Sequence, residues 1–249
     1  NGCALQAIDA AQLPELEPAV RQAAAQSVLL PGVAQIRNPR LGAALRRALV
    51  QRGVMIREHT EVTGFIASAD RVHGAATTQG EFRAERVVVA GGAWSGPLLA
   101  MLDIGLPVKP VKGQMIQYQA TPGLLRRIIL HRDHYLIPRR DGLVLAGSTL
   151  EDVGYDKSTT VTARDELMQK ASRLVPALGN CEVVRHWAGL RPGVSDGVPF
   201  IGPHPACEGL FVNTGHFRNG VVMAPASARL LTDLLLGKGS FTDAGPYRP

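Results

Sequence analysis

The residues best suited to chemistry are concentrated between positions 188 and 237. Arg191 stands after an apolar run and just before Pro192-Gly193, a rigid turn that fixes where the guanidinium points. A guanidinium held in this way can grip a planar carboxylate through two parallel hydrogen bonds; an ion-paired surface arginine is the competing reading. Further along, the short apolar run 210–212 leads into Gly215-His216-Phe217-Arg218-Asn219-Gly220. Val222, Leu230, Leu231, Leu234 and Leu235 then recur at roughly helical spacing, predicting a buried helix. Gly215 and Gly220 let backbone approach a ligand closely, and the N–H groups of residues 219–222 lack intrahelical partners at the helix start. Such a start favours an electron-rich group. An ordinary strand-to-helix connection would also use glycine, but it would place Asp, Ser or Gly where this one has His216, Phe217, Arg218 and Asn219.

The elements that must position these residues are readable in outline. Asp9 caps a short helix that prolines stop, and residues 27–34 read as a strand. A helix runs from Asn38 to about Arg52, with Asn38 as N-cap, Pro39 at the first helical position and Gly53 as the stop. A strand at 54–58 follows, giving a β-α-β order and the rhythm of a doubly wound sheet. Residues 61–65, 72–78 and 82–84 read as antiparallel strands, and 86–90 as an apolar strand buried on both faces that ends at Gly91-Gly92. Those two glycines suit either a ligand or close helix-to-strand packing. Strands at 114–119, 135–138 and 143–147, with a turn at 140–142, form an antiparallel sheet expected to face a substrate. An amphipathic helix at 162–175, N-capped by Thr162, and a strand at 181–190 lead back to Arg191.

Composition bounds the function. With 249 residues, 45% hydrophobic and 19% charged, the chain has the balance of a globular enzyme. The net charge of +6 is scattered, without a basic stripe interleaved with aromatics, which argues against nucleic-acid binding. A mild positive field would suit an anionic cofactor and a carboxylate substrate; a solubility charge with no target is the alternative. Cys3, Cys181 and Cys207 lack metal or disulfide spacing, and no apolar run reaches membrane-spanning length, so a reducing cytoplasm without an integral membrane segment is expected. No metal site is suggested, and a homo-oligomer is left open.

Ala-Gly-Leu-Arg-Pro-Gly-Val-Ser-Asp-Gly-Val-Pro-Phe-Ile-Gly-Pro at 188–203, taken with the Gly-His-Phe-Arg-Asn-Gly loop at 215–220, resembles the glycine oxidase branch of the D-amino-acid-oxidase family of flavoenzymes. The resemblance covers nearly the whole chain. It implies a mixed α/β fold in which a partial Rossmann-like FAD-binding domain, residues 28–99 and 194–249, is interleaved with an antiparallel-sheet substrate domain, residues 1–27 and 100–193. It implies FAD as cofactor and Val62, Gly91, Gly92, Trp94, His216, Arg218, Asn219, Gly220, Val221 and Val222 as the residues around it. Arg191 becomes the carboxylate clamp, Tyr135 a second donor to the same carboxylate, and Arg218 a charge facing either substrate or flavin; Leu150 and His134 would line the pocket. At Asp133-His134 the chain departs from the family's usual pair.

The implied reaction oxidises a small amine such as glycine, sarcosine or D-alanine to the oxo acid, releasing ammonia or a primary amine and passing electrons to oxygen as hydrogen peroxide. In relatives this serves thiazole formation for thiamine or amino-acid catabolism. A D-amino-acid dehydrogenase with a quinone acceptor is an alternative. The Gly-x-Gly-x-x-Gly fingerprint that cradles a dinucleotide pyrophosphate is not found in the sequence. The expectation is therefore a C-terminal portion of such an enzyme, and a chain unable to hold FAD alone is the third reading.

Overall fold

The computed structural model describes residues 4–21 and 26–249; Cys3 lies outside them. The first half of the chain forms β1 (Gln6–Ile8), α1 (Gln12–Leu16), β2 (Ser27–Leu29), α2 (Asn38–Gln51), β3 (Val62–Ser68), β4 (Arg71–Thr77), β5 (Gly80–Arg83), β6 (Val87–Val89), α3 (Ser95–Ala100) and β7 (Lys109–Gln119). The second half forms β8 (Ile129–His131), β9 (His134–Pro138), β10 (Leu143–Gly147), α4 (Val161–Leu174), β11 (Glu182–Gly193), β12 (Phe200–Pro203), β13 (Leu210–Thr214) and α5 (Gly220–Leu235). The chain divides into two compact units, one of Asn1–Ile56, Gly113–Leu150 and Lys157–Gly189, the other of Arg57–Lys112, Glu151–Asp156 and Leu190–Pro249.

The first unit is built on most of a sheet with strand order β11-β7-β10-β9-β8. Alternation along the strands puts Ile116, Tyr118, Leu136, Val144 and Ala146 on one face, where Leu167, Ala171 and Leu174 of α4 pack on them. Each such large side chain contributes roughly 1.5–3 kcal/mol by leaving water. The cap of α4 is Thr160, whose hydroxyl accepts from Ala163 N–H at 3.3 Å, and not Thr162 as the sequence suggests. Thr160 N–H donates to the Gln114 side chain at 2.9 Å, so the helix start is tied to β7. Buried Glu17 accepts from Arg126 N–H at 3.0 Å and pairs with Arg127 at 3.3 Å, which secures the segment after α1.

Two expectations fail on this side. Helix α2 forms where Pro39 and Gly53 place it, but its N-cap position is Arg37 and none of its residues is buried. Residues 54–58 form no strand: Val54, Met55 and Ile56 are exposed, and a strand needs a ladder partner, which these residues do not find among the described residues.

In the second unit β3, β4 and β5 make an antiparallel three-stranded sheet. A second sheet has the order β12-β13-β6, with β13 parallel to β6 and antiparallel to β12. Val72, Val89, Leu99, Leu210 and Val212 form one core, and Leu230 and Leu231 of α5 pack with Ile201 and Phe211 in another. β6 is not buried on both faces as predicted, because Val88 is 39% exposed. Nor is α5 buried throughout: Leu230 and Leu231 are inside, whereas Val222 at the helix start is 78% exposed. The split follows position, since only the C-terminal turns lie over the β12-β13 sheet.

Candidate active site

β6 and β13 run side by side in one direction, with Val89 opposite Val212, and each feeds a helix through a turn, Gly91–Trp94 into α3 and residues 215–219 into α5. The carboxyl ends of parallel strands are where open α/β sheets form ligand crevices. A buried hydroxyl chain joins the two turns: Ser95 Oγ donates to Thr214 Oγ1 at 2.9 Å, and Thr214 Oγ1 donates to Gly92 O at 3.0 Å. The sequence reading missed Ser95 and Thr214, because their inward positions matter only once the pairing of β6 with β13 is known.

Gly215 has φ +83°, and a Cβ there would lie 3.0 Å from Val194 Cγ1 and 3.4 Å from Pro199 Cα. Packing and backbone both demand glycine. Phe217 also holds a positive φ, 46°, and its N–H donates to Pro192 O at 3.0 Å. Arg191-Pro192-Gly193 is not the turn expected from sequence but the last part of β11, and that bond fixes the strand end against the 215–219 loop, with Arg191 half-buried. His216 Nε2 lies 3.0 Å from Ser227 Oγ inside α5, and burial lowers its pKa, leaving a neutral ring at physiological pH. Arg218 and Asn219 are exposed at the loop's outer side.

The first intrahelical bond of α5 runs from Met223 N–H to Asn219 O at 3.0 Å, and Asn219 provides no side-chain cap. The N–H groups of Gly220, Val221 and Val222 are thus without intrahelical partners, next to exposed apolar surface on Val221 and Val222. Close by in sequence, Asn213 Oδ1 is buried without a hydrogen-bond partner among the described residues. A flavin ring is flat, apolar on its faces and lined by carbonyl and imide groups along one edge. Helix-start donors beside valine surface are groups of the kind that could meet such a ring. Gly91 and Gly92 lie at the β6 turn, where Trp94 is 45% exposed and packs at 5.9 Å, tilted 35°, against Tyr155; Val62 opens β3.

Other residues named from sequence belong to the first unit. Tyr135 lies on the sheet face opposite the core, its hydroxyl donating to Met115 Sδ at 3.6 Å, and a Cβ on Gly147 would stand 2.9 Å from that hydroxyl. His134, the preceding residue, points to the other face, 2% exposed among the core side chains. Leu150 is 63% exposed. Among the described residues no group of three His, Cys, Asp or Glu side chains could hold a metal ion, and no helix is long and apolar enough to cross a membrane.

Comparison with known proteins supplies the family. A glycine oxidase of Pseudomonas aeruginosa is 50% identical over 225 residues, 90% of this chain and 62% of that protein. A glycine oxidase of Pseudomonas putida is 46% identical over 246 residues, 98% of this chain and 67% of its own length. The crystal structure of glycine oxidase from Geobacillus kaustophilus superposes with a TM-score of 0.93 at 34% identity, over 99% of this chain and 67% of that one. The chain therefore spans about two thirds of the length of these relatives, 62% in the first case. The family profile described as DAO, FAD dependent oxidoreductase, matches residues 1–234, and the chain belongs to that family.

Proposed function

We propose that the chain carries the flavin-ring and carboxylate-binding parts of an FAD-dependent oxidase acting on glycine or another small amino acid, sarcosine or D-alanine, and yielding the oxo acid, ammonia or a primary amine, and hydrogen peroxide. The observation that carries this reading is the Phe217 N–H to Pro192 O bond, which joins the Arg191 end of β11 to the loop at the start of α5. A carboxylate-binding group and a flavin-compatible helix start are thereby held in one rigid frame.

When bound, the flavin supplies the two-electron acceptor for hydride leaving the substrate Cα. Arg191 would hold the substrate carboxylate and so set which face of Cα is presented. The first-turn N–H groups of α5 would stabilise negative charge on the reduced ring, and the neutral His216 with Ser227 keeps that helix start in place. Hydride departure needs a neutral substrate amine, and no side chain is required as general base. The family resemblance supports Tyr135 as a hydrogen-bond donor to substrate. The names of the relatives, glycine oxidases, support the substrate class.

The test is peroxide release by the purified chain incubated with FAD and with glycine, sarcosine or D-alanine in turn. Peroxide formed in step with oxygen uptake is expected. Bound FAD with no peroxide from any of the three amines would contradict the reading.

A further inference from the structure

Lys112 is an unusual residue for its place. The even-numbered positions of β7 from Pro110 to Tyr118 all point inward, so Lys112 is buried at 2% exposure in a register otherwise used by the core. Its ammonium lies 3.2 Å from Glu151 Oε2 and 3.2 Å from Asp156 Oδ2. Burial alone would lower its pKa, but the two carboxylates more than offset this and the net shift is upward, keeping the charge. The same short segment is bound again by reciprocal backbone bonds between Lys112 and Glu151, 2.9 Å in each direction, and by Lys109 to Asp152 at 2.8 Å. At its far end Tyr155 donates to Ala93 O at 3.0 Å and packs on Trp94.

We infer that Lys112 and residues 151–156 form a strap that positions the Gly91–Trp94 turn. Both ends of the segment, Glu151 and Asp156, are locked to β7 by the buried ammonium. Tyr155, next to Asp156, then sets the height and tilt of Ala93 and Trp94 through its hydroxyl and ring. Lys112 and Tyr155 are positioning residues: they act on the turn without touching a ligand. The consequence for flavin binding rests on the reading, proposed above, that this turn borders the flavin.

Hydrogen exchange of the full chain, without flavin, tests the strap alone. Tyr155→Phe keeps the ring and removes only the bond to Ala93, so amides of residues 93–98 should exchange roughly fivefold faster, with those of β13 unchanged. Lys112→Met should loosen the same amides by about tenfold or more, and Lys112→Arg, which keeps the charge and can reach both carboxylates, should restore most of the protection. Unchanged exchange at 93–98 in Tyr155→Phe would overturn the inference, even if Lys112→Met failed to fold. FAD titration of the same variants separates the two ideas. Faster exchange with about tenfold weaker FAD binding supports both. Faster exchange with unaltered FAD affinity leaves the strap standing and removes the turn from the flavin site.

Discussion

His134 and Gly215 are each governed by their immediate surroundings, in opposite ways. Both ring nitrogens of His134 are buried without hydrogen-bond partners among the described residues, and burial, assisted by Lys170 and His131 and opposed by Asp133, lowers its pKa from 6.5 to about 4. The folded pKa lies below the unfolded one, so the unfolded chain takes up the proton first. The neutral ring's contribution is complete above pH 6.5 and is lost as pH falls from there to about 4, at about 1.4 kcal/mol per pH unit. His134→Phe should leave stability at pH 8 within about 1 kcal/mol of the parent and visibly flatten the loss between pH 6.5 and 4, measured by denaturant unfolding across pH. At Gly215 the constraint is backbone and space together. Gly215→Ala must accept a φ of +83° and a 3.0 Å contact with Val194, and a loss of about 1–3 kcal/mol in the same unfolding assay is expected. The need for glycine at 215 was legible, because it sits in a dense local motif. The isolation of His134 was not, since neighbouring polar residues in sequence say nothing about which face of β9 each one takes.

Secondary elements were legible where their signals are local. Pro39 and Gly53 bracket α2 to within a residue or two, and the turn at 140–142 separates β9 from β10 as expected. Where the signal depends on a partner, sequence fell short: residues 54–58 have strand composition and no ladder. The α4 cap is an intermediate case, because two threonines two residues apart both satisfy the pattern, and the bond from Ala163 N–H selects Thr160. Thermal unfolding can check this directly. Thr160→Ala should cost about 1–2 kcal/mol, including the bond its hydroxyl accepts from Gln114 Nε2 at 3.3 Å, while Thr162→Ala should stay within about 0.5 kcal/mol. Equal effects would mean that the cap is not what fixes this helix start. The strap of residues 151–156 escaped notice for a related reason. Lys112 lies outside the 114–119 strand read from sequence, and its burial follows only from the alternation of the longer β7 once the core face is known.

At the scale of the molecule, the mixed α/β class and the flavoenzyme family were legible because the Gly-Leu-Arg-Pro and Gly-His-Phe-Arg-Asn-Gly stretches are continuous in sequence. β7 and β11 each run as one strand from one compact unit into the other, so no Gly- or Pro-rich linker marks the crossings. What the second unit gathers is an arginine at the end of β11, a glycine-led loop and a helix start, held by the Phe217 to Pro192 bond and the Ser95-Thr214-Gly92 chain. If that frame binds flavin and carboxylate together, a carboxylate should be felt by the flavin. The most direct measurement is the visible absorption spectrum of the chain with FAD, titrated with glycolate, a carboxylate of glycine's size that carries no amine. The prediction is a saturable perturbation of the flavin bands in the parent chain and, in Arg191→Ala, a shift of its midpoint by more than about tenfold, as expected when one member of a buried charge pair is removed. A spectrum indifferent to glycolate, or a midpoint identical in the two proteins, would contradict it.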